Sequence, residues 1–235
     1  MTKEIAPKTA INTPAVAGAV GRGFSSNLSA KDFLIPRIEL THPLTPCVIA
    51  GQAKAGTFIN SVTKELITIT NVIPVRFEKN FIRWFPREHG GGIMYRTLNA
   101  EDPRVKDDIK WANNEKPLCT EYINVLCLLE SDLDMPIVAP FSRTSYQAGR
   151  KFYTLAIQQF GQDVWISKYK LTPALKTNKF STFYVFEVNK IGPSTEEERA
   201  KAEQMYQTFT RFEELQVEYE SESEEPKPAT NKAEF

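Results

Sequence analysis

The chain has 235 residues, 41% of them hydrophobic, and a formal net charge of zero. That length and composition support one sizeable buried core with tails and leave too little chain for two full domains. No apolar run approaches the roughly 18 residues of a membrane span, and Pro7, Pro14, Gly18 and Gly21 interrupt the beginning of the chain, where a signal peptide would need an unbroken apolar stretch.

Residues 1–28 are rich in Ala, Pro, Gly, Thr and Ser and read as a disordered arm, too poor in apolar surface to offset ordering entropy. The segment Phe33 to Leu40 contains Pro36, which disfavours a helix and predicts extended chain. A strand is expected at Thr57 to Val62. A second is expected at Leu66 to Phe77, where both alternating registers are β-branched, and Pro74 predicts a bend or an edge there. Phe81 to Phe85 reads as another short strand, and Gly90-Gly91-Gly92 as a loop before Ile93 to Thr97. Leu98 to Lys116 is charged, polar and without a period, which reads as a long surface insertion.

Thr120 to Glu130 is the most apolar run and predicts a central strand, extended past an acidic turn by Met135 to Phe141. Ser142 to Phe160 has helical spacing and Gly161 in a C-terminal capping position. Two strands, Asp163 to Leu171 and Phe180 to Val188, follow. In the first, Trp165, Ser167 and Tyr169 share one predicted face, and Val164, Ile166, Lys168 and Lys170 the other. A final helix starts at Ser194 or Thr195 with three glutamates in its first turn and runs to about Phe212. The three cysteines Cys47, Cys119 and Cys127 have no C-x-x-C spacing, which suits free thiols in a reducing cytoplasm.

Charge is unevenly placed. Glu213 to Phe235 holds eight glutamates and two lysines, a net of −6, so the remaining 212 residues carry +6. Within that basic body, Arg143 to Lys179 contains seven basic residues and one acid, with Tyr146, Phe152, Tyr153, Phe160, Trp165 and Tyr169 threaded among them. Interleaved cations and rings suit a single-stranded nucleic acid: cations neutralise phosphates and rings stack on unpaired bases. The bland alternative is an amphipathic helix and two strands whose rings are core and whose lysines keep the surface soluble. The candidate contacts here are Arg143, Arg150, Lys151, Lys168 and Lys170, with Trp165 or Tyr169 for stacking. A second cluster supplies Arg76, Lys79, Arg83 and Arg87, with Trp84 or Phe85 for stacking.

The order of three strand stretches, a helix and two strands is that of an OB-fold. The expected fold is therefore mainly β with helices: an OB-fold-like five-stranded Greek-key barrel over residues 29–192, with an inserted loop region. A C-terminal helix over 193–212 and an acidic disordered tail over 213–235 follow it. In size, element order and ending the chain resembles the OB-fold single-stranded DNA-binding proteins of bacteriophages. Ile35-Pro36-Arg37-Ile38, Gly90-Gly91-Gly92 and Ser145 to Lys151 are similar to stretches in such proteins, as is the glutamate-rich tail closed by Ala233-Glu234-Phe235. The resemblance implies a non-enzymatic coating of single-stranded DNA in replication or recombination. It also implies a tail whose Glu224, Glu225, Glu234 and Phe235 recruit replication or recombination proteins. The tail acids are all glutamate and are interrupted by Lys227 and Lys232, a departure from a continuous acidic run.

No cofactor is expected. The triple glycine lacks the following lysine-serine pair of a phosphate loop, and His42 and His89 have no zinc-ligand spacing around them. Asp107-Asp108 and Asp132/Asp134 read as solvated charge, and no nucleophile constellation stands out. A phage structural or assembly protein and a metal-dependent nuclease are the alternative readings. The sequence is compatible with a homo-oligomer and leaves the oligomeric state open.

The tail's charge yields a direct expectation. A tethered polyanion near a basic groove sits at high effective concentration and competes with DNA phosphates. Deleting Glu213 to Phe235 should therefore tighten oligo-dT binding, most at low salt, as read by fluorescence anisotropy. A deletion that weakens binding in a folded protein contradicts this.

Overall fold

Two long strands rich in β-branched and apolar residues organise the fold. The computed structural model describes residues 34–210 apart from 87, 89–90, 111–115, 159–160 and 180. The arm over 1–28, Arg87, the Phe160 end of the helix, the Phe180 start of the last strand and the acidic tail thus lie outside the described residues. Strand β3, Asn71–Trp84, runs antiparallel to β5, Cys119–Leu129, from Val72↔Leu129 to Arg83↔Cys119. Ile123 to Leu128 are buried without interruption, as expected of a strand covered on both faces. β6, Asp132–Ser142, folds back on β5.

On its other side β3 meets β7, Ser167–Thr177, only at Asn71 and Val72. β8, Thr182–Pro193, then pairs along the length of β7. The sheet order is β6-β5-β3-β7-β8, with β4, Ile93–Thr97, added to the far end of β3. All these pairings are antiparallel. Among the described residues no ladder joins β6 to β8, so the five expected barrel strands form an open path. A separate two-stranded sheet, β1 Ile38–Leu40 with β2 Phe58–Asn60, bridges toward both ends of that path. Arg37 pairs in parallel with Val138 of β6, and Phe58 stacks on Phe186 of β8 at 5.2 Å.

Two cores hold the sheet. On one face, α3 (Tyr146–Ile157) lays Phe152 onto Phe141 and Tyr169, with Val125, Ile137 and Val188 beneath. On the other, α4 (Glu196–Phe209) lays Ala202 and Phe209 over Ile73, Val75, Leu126 and Val138. Thr195 caps α4 in a reciprocal box with Glu198, satisfying two backbone donors at the helix start.

Several expectations change. The strand expected at Leu66 to Phe77 and the one at Phe81 to Phe85 are a single strand, β3, and Leu66 makes only an isolated bridge to Ile59. The bend expected at Pro74 is present, and there β3 is laddered to β5 alone, between the β7 and β4 pairings. The missing donor of Pro74 falls just past the end of the β7 ladder, and a register shift between Pro74 and Arg76 absorbs the bend. The polar insertion contains a short helix, α2 (Pro103–Asp108), whose Val105 packs with Phe81, Tyr95 and Cys119. The long helix begins as a 3-10 turn, Arg143–Ser145. Another 3-10 turn, Val164–Ile166, stands where the β7 strand was expected to begin. A short helix, α1 (Pro46–Ile49), completes the described elements.

Gly149 explains how α3 reaches the sheet. A Cβ there would lie 2.6 Å from Phe141 Cβ and 3.3 Å from Ile123 Cβ. Helix propensity alone makes Gly→Ala stabilising by roughly 0.5–1 kcal/mol, while overpacking a core costs about 1–3 kcal/mol. The clash is with side-chain atoms fixed next to the backbone, so the second effect wins. Gly149→Ala should lower stability by about 1–2 kcal/mol in urea unfolding; a stabilised variant would contradict the close approach.

Candidate nucleic-acid interface

The basic cluster from Arg76 onward is dispersed by the alternation of β3. Arg76 donates to the Phe209 carbonyl at 3.0 Å and to Glu78 at 2.8 Å, tying the end of α4 to the sheet. Arg83 donates to both Asp108 oxygens, at 2.9 and 2.8 Å, and Tyr95 Oη donates to Asp108 at 2.7 Å. Arg83 thus pins the insertion. Burial first, then the hydrogen bond to Asp108, pushes the Tyr95 phenol well above its ordinary range. Trp84 is half-buried, and Phe85 is exposed just beyond β3. Lys79 is half-exposed and paired with Glu121 at 2.5 Å. Despite partial burial, which lowers it, the Lys79 ammonium is held above its ordinary value by Glu121 and Tyr146.

The cluster from Arg143 to Lys179 divides between core and surface. Trp165 is 9% exposed and Tyr169 0%, so neither ring offers a face to a base. They also lie in different cores, Trp165 against α4 and Tyr169 against α3, because the 3-10 turn breaks the alternation. Lys168 is taken by carboxylates, Glu130 at 2.6 Å and Glu198 at 3.0 Å. Arg143, Arg150, Lys151 and Lys170 are exposed. Arg150 and Lys151 flank the solvent face of α3, and Lys151 Nζ donates to Asn189 Oδ1 at 3.2 Å.

Two clefts meet at the start of α3. The first, about 500 Å³, lies between β1, the end of β6, the Arg143–Ser145 turn and β8, and is lined by Arg37, His42, Arg143 and Tyr184 among others. Partial burial lowers the His42 imidazole from its ordinary value. The second, about 440 Å³, lies between α3 and the β7–β8 hairpin, with Lys151, Lys176 and Phe183. Thr144 and Phe186 line both, so the clefts are contiguous. Ser145 Oγ accepts from Phe186 N at 3.2 Å and fastens the turn to the edge of β8. Each cleft has one acid: Glu39, paired with Lys64 at 3.6 Å, and Glu187. The arrangement offers cations and rings along a shallow path. Among the described residues no three His, Cys, Asp or Glu side chains are grouped to hold a metal ion, and Asp134 is engaged by Lys201.

From the expected set, Arg143 and Lys151 reach these clefts. Arg37, His42, Lys176 and Tyr184 were not among the expected contacts. The alternation of Thr182, Tyr184 and Phe186 marks one strand face, yet only the open edge of β8 leaves part of it accessible.

The family model described as Pam3 phage gp34-like protein matches residues 8–217. No curated protein and no solved structure matches the chain.

Lys168 tests structure against binding. Its ammonium is raised above its ordinary value by the hydrogen bond to Glu130, then by that to Glu198. The Glu130 carboxyl is lowered by Lys168, then by Asn71. A lowered carboxyl adds stability above its unfolded pKa and loses it as pH falls through the folded value. Lys168→Ala should therefore cost about 2 kcal/mol at neutral pH, below the 3–5 kcal/mol of a fully buried pair, and less below about pH 4. Urea unfolding at both pH values checks this; an unchanged stability would return Lys168 to the candidate DNA contacts.

Proposed function

The chain belongs to the Pam3 phage gp34-like family of bacteriophage proteins, and from that premise we propose that it binds single-stranded DNA without catalysing a reaction. The sheet path supports an OB-like reading. Taken as strands one to five, β3, β5, β6, β7 and β8 stand in the order three-two-one-four-five, with α3 between the third and fourth. That is the order of a partly open Greek-key barrel of the kind that binds oligonucleotides. The parallel contact between third and fifth strands is the one left open, and the β1–β2 sheet stands beside that seam.

The observation that carries the proposal is the contiguity of the two clefts, joined at Thr144 and Phe186 and lined by Arg37, Arg143, Lys151 and Lys176. An extended polyanion laid along them meets a cation at each step, and no contact in this set reads base identity. Coating with low sequence preference follows from that chemistry. Replication or recombination proteins remain the proposed partners of the tail through Glu224, Glu225, Glu234 and Phe235.

The salt dependence of oligo-dT binding tests the groove. With about five phosphates neutralised, log K should fall against log [salt] with a slope of about −3.5, at roughly −0.7 per phosphate. Lys151→Ala and Lys176→Ala should each make the slope shallower by about 0.7 in a protein of unchanged stability. Absence of binding at low salt would end the DNA reading and favour a structural or assembly role.

A further inference from the structure

The loop between β1 and β2 is built to hold apolar side chains out in solvent. Its base is closed by Thr41 N to Thr57 O and Gly56 N to Thr41 O, both 2.9 Å. The fully buried Thr41 hydroxyl adds bonds to Lys54 O at 2.8 Å and from Thr57 N at 3.0 Å. Inside it, Ala50 N donates to Pro46 O and Gln52 N to Cys47 O. This is a compact surface loop tied by its own backbone, and its short helix buries no side chain. Leu44, 84% exposed, is therefore displayed by a fixed frame, and it lines the first cleft together with His42 and Arg143.

Tyr184 lines the same cleft and is fixed by the same loop. Gly56, at φ +80°, packs so closely that a Cβ would lie 2.4 Å from Tyr184 Cε1. The loop's closing residue thus sets the ring, and the turn from His42 to Thr45 sets the leucine. A cleft of about 500 Å³ is in the lower half of the roughly 300–1,000 Å³ range of small-ligand sites, the size for one nucleotide rather than a peptide helix. We propose that this cleft is a slot for a single unpaired nucleobase, stacked on Tyr184 and covered by Leu44, with Arg143 beside the adjoining phosphate. The proposal rests on the single-stranded DNA reading and specifies what that groove holds besides phosphate. Apolar wedges and aromatic platforms are the two side-chain types that replace base stacking in protein complexes.

The experiment compares oligo-dT with an equally long oligonucleotide carrying abasic sites, using the full chain and fluorescence anisotropy. The two probes share phosphates and differ in bases. Wild type should prefer oligo-dT by about 5- to 150-fold, the equivalent of one stacked base. Tyr184→Ala and Leu44→Ser should each bring that ratio toward one while leaving the salt slope unchanged. Leu44 is exposed, so Leu44→Ser decides the matter even if Tyr184→Ala fails to fold. If wild type binds both probes equally and with strong salt dependence, the DNA reading stands and the base slot is wrong. If wild type binds neither, both fall. If Leu44→Ser keeps the full ratio but changes the sedimentation coefficient, Leu44 is a contact between copies and the slot is overturned.

Discussion

Backbone groups at the two ends of an open sheet must find partners, and that requirement arranges most of this molecule. Among the described residues no ladder joins β6 and β8, although both line one cleft. On β6, Val138 N donates to Pro36 O at 2.8 Å, so the incoming chain covers that edge. On β8, the N–H of Phe186 is met by the Ser145 hydroxyl, so a 3-10 turn covers part of the other. The clefts are what remains between these two substitutes for a ladder. Had β6 and β8 paired directly, the ring of Tyr184 and the turn at Arg143 would have no cavity to line.

The elements that could be read from the sequence are those whose signals are local and whose partners do not alter them. The run from Ile123 to Leu128, short and mostly apolar, reads as a central strand, and the structure buries it throughout. Thr195 and Glu198 at capping-box spacing can start a helix whatever lies around them. Trp165 and Tyr169 were assigned one face because strand alternation was carried through a stretch that is a 3-10 turn followed by a register shift between Lys168 and Tyr169. A period-two argument has no means of detecting such a break. Arg83 has the same appearance as Arg143 in sequence; only the fold brings Asp108, 25 residues away, to its guanidinium.

The insertion illustrates the same limit on a larger scale. Its polar composition suggests surface loop, yet Val105, Tyr95, Phe81 and Cys119 form a small core of their own. Arg83 and Tyr95 converge on Asp108 at its rim, and the Arg104 guanidinium lies 4.7 Å from the Tyr95 ring centroid. One buried valine and one shared carboxylate hold a short helix, capped by Asp102 ahead of Pro103, against the end of β3. The valine and the carboxylate contribute no pattern that exceeds the surrounding polar sequence.

Arg143 adopts φ +48°, in the left-handed region that non-glycine residues enter at a cost of roughly 1–2 kcal/mol. Its neighbours Ser142 and Tyr146 are ordinary, so the strain is local to the corner where β6 turns into α3. A glycine would make that corner without strain, and would leave the first cleft without its guanidinium. Stability and surface charge therefore pull this one position in opposite directions. Exchanging that arginine for glycine would ease the backbone and remove a cation from the cleft in a single step.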